Sequence, residues 1–121
     1  MIRDLIIANR TCRRFYQDEA IELETLRELV DLARLSASGG NQQPLKYILS
    51  CDPEKNALIY SCLGWAIYEG KRDPGPPEGE RPSAYIIVLG DTEISKTWGC
   101  DHGIAAQSIF LGAREKGLGG V

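Results

Sequence analysis

The chain has 121 residues, of which 43% are hydrophobic and 26% charged, a composition typical of a globular protein and not of a disordered or fibrous one. The length predicts a single domain, residues 1–121, with a modest hydrophobic core. A formal net charge of −3 argues against a general nucleic-acid or membrane-surface binder. Any site that binds an anion through basic residues must therefore be confined to a short segment or a small patch of this chain.

Neither the N-terminus nor any other segment predicts a targeting signal or a membrane span. MIRDLIIANR contains Asp4 and has too short an apolar run for a secretory signal. The apolar run at 84–89 is far too short to cross a bilayer. The cysteines form no C-x-x-C pair and show no metal-ligand spacing. We therefore expect a cytoplasmic protein with reduced, structural thiols and no metal site.

The first half of the chain predicts two helices, a loop and a strand. Residues 3–9 favour a short helix, residues 18–21 a loop, and residues 22–35 an amphipathic helix whose leucines share one face. Glycines and a proline in SASGGNQQP then forbid the helix to continue. KYILSC, residues 46–51, is typical of a strand.

The second half predicts two helices around a loop and a strand. A helix is expected from Pro53 to about residue 63, because proline suits the first helical turn. Residues 70–82 hold four of the six prolines and predict a long polar loop. The run AYIIVL at 84–89 indicates a strand buried on both faces. Residues 101–116 predict a helix that is apolar on nearly every side, as in a core or a subunit interface.

The segment NRTCRRF concentrates charge near the N-terminus, with Arg10, Arg13 and Arg14 beside Asn9 and Thr11. Arginine forks donate paired hydrogen bonds to phosphate oxygens, and the threonine hydroxyl and asparagine amide add further donors. A solvated basic turn is the alternative interpretation. We expect Arg14 to face solvent or an acidic neighbour, because alternate positions cannot all point at one ligand.

Two glycine-containing segments are further candidates for ligand contact. SGGNQQP combines three carboxamides, which suit a planar heterocycle, with glycines that let the backbone approach a ring; it could also be only a helix end and a turn. In GLGG, Gly117 could simply end the preceding helix, or the backbone could lie close to a ligand. We interpret Asp101, within Cys100-Asp101-His102, as a residue near the helix N-cap or in its first turn.

Taken together, these motifs make the chain resemble the nitroreductase-like flavoproteins. NRTCRRF is similar to the family's R-S-x-R-x-F motif, with Thr11 in the serine position. ASGGNQQP resembles P-S-x-x-N-x-Q-P, with Ala37 where proline is usual, and DHGIAAQSIFLGAREKGLGG resembles the central helix followed by G-L-G. Members of the family normally continue into a further strand and a C-terminal arm, so the resemblance implies that the C-terminal part is missing here.

The resemblance implies an α+β fold with a central, mostly antiparallel sheet flanked by helices, and FMN bound at a homodimer interface. It implies that the FMN phosphate or ribityl chain is held by the N-terminal motif, that some residues of the second motif act across the dimer, and that the last glycines lie against the isoalloxazine ring. The implied cofactor-binding residues are Asn9, Arg10, Thr11, Arg13, Ser38, Asn41, Gln43, Gly117 and Gly119.

The function implied by the resemblance is an oxidoreductase that passes electrons from NAD(P)H through flavin to nitroaromatic, quinone or enone acceptors. Because the cofactor performs the chemistry, no catalytic side chain is expected, which suits a chain with one histidine. Two alternatives remain: a flavin-binding module without turnover, and an empty, dimeric remnant of the family.

Overall fold

The computed structural model describes residues 1–121, and it combines four α-helices with two small antiparallel sheets. The elements are, in chain order, α1 (Ile2–Ala8), α2 (Leu23–Arg34), a 3-10 turn (Gly39–Asn41), β1 (Leu45–Ser50), α3 (Pro53–Ser61), β2 (Ile67–Tyr68), β3 (Lys71–Arg72), β4 (Tyr85–Gly90) and α4 (Asp101–Glu115). None of the helices has both the length and the apolar character needed to cross a membrane. The predicted α+β fold is confirmed.

Packing of α2 against α4 forms the centre of the core. The buried cluster consists of Leu29, Ala33, Ala105, Ile109 and Ala113, and its α2 members lie on the face that the sequence pattern predicts. The other side of α4 is exposed, so α4 is not enclosed by the core of this chain. Of the two places that its composition predicts, a core and a subunit interface, the first is therefore only partly observed.

The larger sheet pairs β1 with β4 in antiparallel register, with Tyr47 opposite Val88 and Ile48 opposite Ile87. Alternate side chains of this sheet, among them Tyr47, pack on the helical core. On the opposite face Ile48 is 49% exposed and Leu89 is 43% exposed. The expectation of a strand buried on both faces is therefore wrong, because the helical core covers only one face of this two-stranded sheet.

The segment at 70–82 is also not entirely the loop that its prolines predict. Its first residues complete a hairpin in which Tyr68 pairs with Lys71. Glu69 and Gly70 form the turn with φ values of 50° and 76°, as expected where the chain must reverse between two short strands. The loop prediction is wrong for Lys71–Arg72, since strands of two residues are too short to show a periodic pattern.

A buried polar network ties α3 to the larger sheet. Asp52 caps α3 by accepting a hydrogen bond from the amide of Glu54 at 3.2 Å. Asn56, in the first turns of that helix, accepts from the hydroxyl of Ser50 at 2.7 Å and donates to the carbonyl of Ser83 at 2.8 Å. One amide side chain therefore links the end of β1 to the segment that enters β4.

Candidate functional site

The turn after α1 presents two arginines that no carboxylate neutralises. Arg10 is exposed, and its Nη1 donates to the carbonyl oxygen of Asn9 at 2.8 Å. Neither Arg10 nor Arg13 belongs to any of the ion pairs of the structure. Because a guanidinium has five N–H donors, both side chains keep donors for a ligand. Thr11, between them in sequence, is exposed.

Arg13 and Arg14 are neighbours in sequence but have different surroundings. The guanidinium of Arg13 lies over the ring of Tyr68, 5.6 Å from its centroid, within the range of a cation–π contact. Nη1 of Arg14 lies 2.5 Å from Oε2 of Glu80. The prediction that Arg14 faces solvent or an acidic neighbour is confirmed, which leaves Arg10 and Arg13 as the uncompensated pair.

The GLGG segment first ends α4 and then turns the chain back. Gly117 has a φ of 78°, and its amide donates to the carbonyl of Arg114 at 3.0 Å. The amide of Leu118 donates to the carbonyl of Ala113 at 2.8 Å. These are the two hydrogen bonds of a Schellman motif, so the interpretation of Gly117 as the glycine that ends the helix is confirmed.

The last residues of the chain then lie directly beside the basic turn. Thr11 and Gly120 form a parallel β-bridge, and the amide of Cys12 donates to the carbonyl of Gly120 at 2.9 Å. A Cβ atom on Gly119 would lie only 2.6 Å from Sγ of Cys12. Two of the three predicted motifs are thus brought together from opposite ends of the chain.

The second motif forms a strained turn between α2 and β1. The backbone has positive φ at Gly40 (58°), Asn41 (53°) and Gln43 (53°), a conformation that is uncommon for residues other than glycine. Nε2 of Gln43 donates to Oδ1 of Asn41 at 2.9 Å. Both residues are exposed. The turn therefore presents paired carboxamide groups at the surface.

Asp101 attaches this turn to the start of α4. The residue is only 7% exposed, and its carboxylate accepts from the hydroxyl of Ser38 at 2.5 Å and from the amide of Gly39 at 2.9 Å. The amide hydrogen bond, followed by the hydroxyl hydrogen bond, lowers the pKa of Asp101. The predicted place in the first helical turn is confirmed, but the attachment to the second motif was not foreseen.

The two parts of the predicted site lie at opposite ends of α4. The second motif is attached to Asp101, the first residue of the helix, while the basic turn adjoins the glycines beyond its last residue. At 1.5 Å per residue, the 15 residues of α4 extend over about 22 Å. Within this chain the structure therefore brings the first and third motifs together and leaves the second apart.

Two cavities adjoin these elements, and motif analysis had indicated neither. An apolar cavity of about 310 Å³ lies beside the terminal glycines; its lining includes Phe15, Trp65, Ile86, Phe110, Leu118 and Val121. A more polar cavity of about 400 Å³ lies between the second motif and Trp98. The lining of the apolar cavity is scattered along the sequence, and that of the polar cavity comes from two segments, 39–44 and 97–104, so no local pattern could have revealed these cavities.

Comparison with known proteins matches this arrangement to one family. The nitroreductase family profile aligns with residues 7–121. The chain therefore belongs to the nitroreductase family. A relative in Archaeoglobus fulgidus, which carries the provisional name NADH dehydrogenase/NAD(P)H nitroreductase, is 31% identical over 120 residues. The alignment covers 96% of this chain and 63% of that relative.

Solved structures agree with this assignment. A protein of Clostridium acetobutylicum, provisionally named NADH oxidase, superposes with a TM-score of 0.74 at 27% identity, over 96% of this chain and 65% of its own. An FMN-dependent nitroreductase of Clostridium difficile also has a TM-score of 0.74 at 27% identity, over 98% of this chain and 63% of its own. The predicted family and fold are confirmed, and the chain spans less than two thirds of the length of these relatives.

Proposed function

We propose that this chain carries the FMN-binding part of an oxidoreductase that uses NAD(P)H to reduce nitroaromatic, quinone or enone acceptors. The observation that carries the proposal is the meeting of two uncompensated arginines, Arg10 and Arg13, with the glycine-rich end of α4. Membership of the nitroreductase family supports the reaction class. The electron donor and the FMN dependence are suggested by the names of relatives.

The donors of the basic turn fit a flavin phosphate. A phosphate dianion would compensate the charges of Arg10 and Arg13, and the Thr11 hydroxyl and Asn9 amide could donate further hydrogen bonds. No atom lies within 4 Å of the place where a Cβ on Gly117 would project, so the backbone there is open to a planar ring. Bound FMN would supply the redox chemistry, while these residues bind and orient it.

A homodimer would complete the proposed site. If two copies pair about a two-fold axis with their α4 helices antiparallel, the second motif of one protomer comes beside the basic turn of its partner. Apolar side chains available for such an interface include Ile104 on α4, which is 37% exposed, and Ile6 on α1, which is 50% exposed. In this arrangement Ser38, Asn41 and Gln43 would reach the flavin held by the partner protomer.

Titration with FMN tests the proposal and separates its alternatives. We expect the purified protein to quench flavin fluorescence and to shift the flavin absorbance bands, and we expect the complex to oxidise NADH or NADPH. FMN binding without NAD(P)H oxidation would indicate the binding module. If FMN does not bind at all, the proposed function is wrong, and a dimer in light scattering would then indicate the empty family remnant.

Subunit mixing tests whether each site is composed of two protomers. Arg13→Ala damages the first motif and Asn41→Ala the second, so each pure variant should bind FMN weakly. In a mixed dimer one of the two sites receives both intact motifs, so after equal amounts of the variants exchange subunits at random about one quarter of all sites should regain tight FMN binding. The matched control mixes Arg13→Ala with Arg10→Ala, which share one motif and should regain nothing. Absence of recovery in the first mixture would contradict the composite site.

A further inference from the structure

Asp101 is the only carboxylate among the buried residues of the chain, and it has no cationic partner within ion-pair distance. A buried charge is costly unless hydrogen bonds compensate it. Here the compensation comes from the Ser38 hydroxyl and the Gly39 amide, together with the positive end of the α4 dipole. The charge of Asp101 therefore depends on the position of the second motif.

The hydrogen bonds of Ser38 extend this connection farther into the turn. Its hydroxyl has one proton, which it donates to Asp101 at 2.5 Å. The same oxygen accepts a hydrogen bond from the backbone amide of Gln43 at 3.0 Å. Gln43 in turn donates its side-chain amide to Asn41 at 2.9 Å. This series of hydrogen bonds therefore connects Asp101, at the start of α4, to the carboxamides of both Asn41 and Gln43.

The turn needs such support because its backbone is strained. Asn41 and Gln43 both have φ values of 53°; asparagine tolerates this conformation, whereas glutamine keeps it only where its surroundings enforce it. The 3-10 turn over Gly39–Asn41 has no side-chain cap of its own. Packing cannot fix the two carboxamide residues either, since both are exposed. Backbone hydrogen bonds within the turn, such as that from the Asn41 amide to the Ser38 carbonyl at 2.9 Å, set its local shape, and the hydrogen bonds that end on Asp101 are the side-chain contacts that attach it to α4.

We propose that Asp101 is a positioning residue: its carboxylate holds the turn at 38–43 in the conformation that presents Asn41 and Gln43 to the ligand. The identity of the ligand as FMN rests on the proposed function, whereas the effect of Asp101 on the conformation of the turn does not. The nearby titratable groups are Tyr47 of β1, whose pKa is raised mainly by burial and also by the charge of Asp101, and His102 of α4.

Asp101→Asn is the most direct test, because it keeps the size of the side chain and removes its charge. The new Nδ2 group can only donate, so it opposes the proton of either Ser38 or Gly39, and the remaining Oδ1 is uncharged and therefore a weaker acceptor for the other. We expect hydrogen exchange at the Gly39 and Gln43 amides, measured by NMR without FMN, to become about tenfold faster, as for loss of one charge-assisted hydrogen bond. FMN affinity should fall by about the same factor, while the melting temperature falls only by the small amount expected for the loss of one hydrogen-bonded carboxylate.

Asp52→Asn is the matched control, because Asp52 caps α3, makes no hydrogen bond to the turn and likewise accepts a hydrogen bond from a backbone amide. This variant should leave exchange at Gly39 and Gln43 and the affinity for FMN unchanged. If Asp101→Asn behaves like this control in both measurements, the proposal is wrong. If the wild-type protein does not bind FMN, the proposed function fails, and exchange at the two amides still decides the role of Asp101.

Ser38→Ala provides a second test that spares the buried carboxylate. It should accelerate exchange at the Gln43 amide and leave the Gly39 amide protected, because Asp101 contacts Gly39 directly. The double variant with Asp101→Asn should bind FMN as tightly as whichever single variant binds it less tightly. The two losses should not add, since both residues act through one series of hydrogen bonds. Additive losses of affinity would contradict that series. If Asp101→Asn fails to fold, the Ser38→Ala single variant decides the proposal, because unchanged exchange at its Gln43 amide would contradict it.

Discussion

The backbone amide of Cys12 donates a hydrogen bond to the carbonyl oxygen of Gly120, with 2.9 Å between nitrogen and oxygen. This contact joins the basic turn to the glycines that follow α4. It places the backbone between Arg10 and Arg13 directly against the end of the chain. The orientation of the proposed phosphate site therefore depends on how closely those glycines approach.

The first prediction concerns Gly119. In Gly119→Ala the new Cβ would lie 2.6 Å from Sγ and 3.2 Å from Cβ of Cys12, so the two segments must separate. We expect the free energy of unfolding to fall by about 1–3 kcal/mol, as for other overpacked contacts, and FMN affinity to fall with it. Urea denaturation and FMN titration measure the two effects.

Two further variants control for this substitution. Gly103→Ala adds the same methyl group where no atom lies within 4 Å, in a helix that alanine favours by about 1 kcal/mol, and it should not destabilise the protein. Cys12→Ala removes Sγ, so the double variant with Gly119→Ala should recover part of the lost stability. If Gly119→Ala is as stable as the wild type, the close contact is not required.

The second prediction compares the neighbouring arginines. Arg13→Ala should weaken FMN binding by about 1.5–3 kcal/mol, the contribution of a hydrogen bond to a charged group. Arg14→Ala removes an exposed ion pair with Glu80 and should change FMN affinity by less than about 1 kcal/mol. Isothermal titration with FMN measures both variants. Equal affinities in the two variants would contradict the assignment of Arg13 to the phosphate.

The third prediction concerns Asn56 and does not depend on any ligand. Asn56→Ala leaves the Ser50 hydroxyl and the Ser83 carbonyl without their partner in a partly buried position. Because unsatisfied buried polar groups are costly, the free energy of unfolding should fall by about 1–3 kcal/mol. Ser61→Ala, which removes an exposed hydroxyl bonded only within α3 and to its neighbour Cys62, is the control and should change little.

The fourth prediction follows from two lowered pKa values. The Gly39 amide and then the Ser38 hydroxyl lower the pKa of Asp101, and a hydrogen bond from Lys46 lowers that of Asp91. A carboxyl whose pKa is lower in the folded state stabilises the fold fully above its unfolded value, about 4. That stability is lost as the pH falls through the folded pKa.

We therefore expect the urea midpoint to decrease between pH 5 and pH 2, by a smaller amount in Asp101→Asn than in the wild type. The midpoints of the two proteins should approach each other at the acid end, where Asp101 is protonated. Parallel curves over the whole range would show that the Asp101 carboxylate contributes no pH-dependent stability.

The sequence by itself determined the features that repeat along the chain or occur in short motifs. The spacing of Leu26, Leu29 and Ala33 predicted the buried face of α2, because a helix returns to the same side every three to four residues. A proline and a glycine indicated where α3 begins and where α4 ends. The motifs indicated the family, and the comparisons confirmed it.

Only the tertiary structure decided which of these motifs lie together. The bridge between Thr11 and Gly120 and the hydrogen bonds of Asp101 to the second motif connect residues that are distant in sequence. The exposed outer face of the sheet and the hairpin at Tyr68 were likewise not predicted. Such features depend on how whole helices and strands pack against one another, and this packing cannot be predicted from the local spacing of residue types.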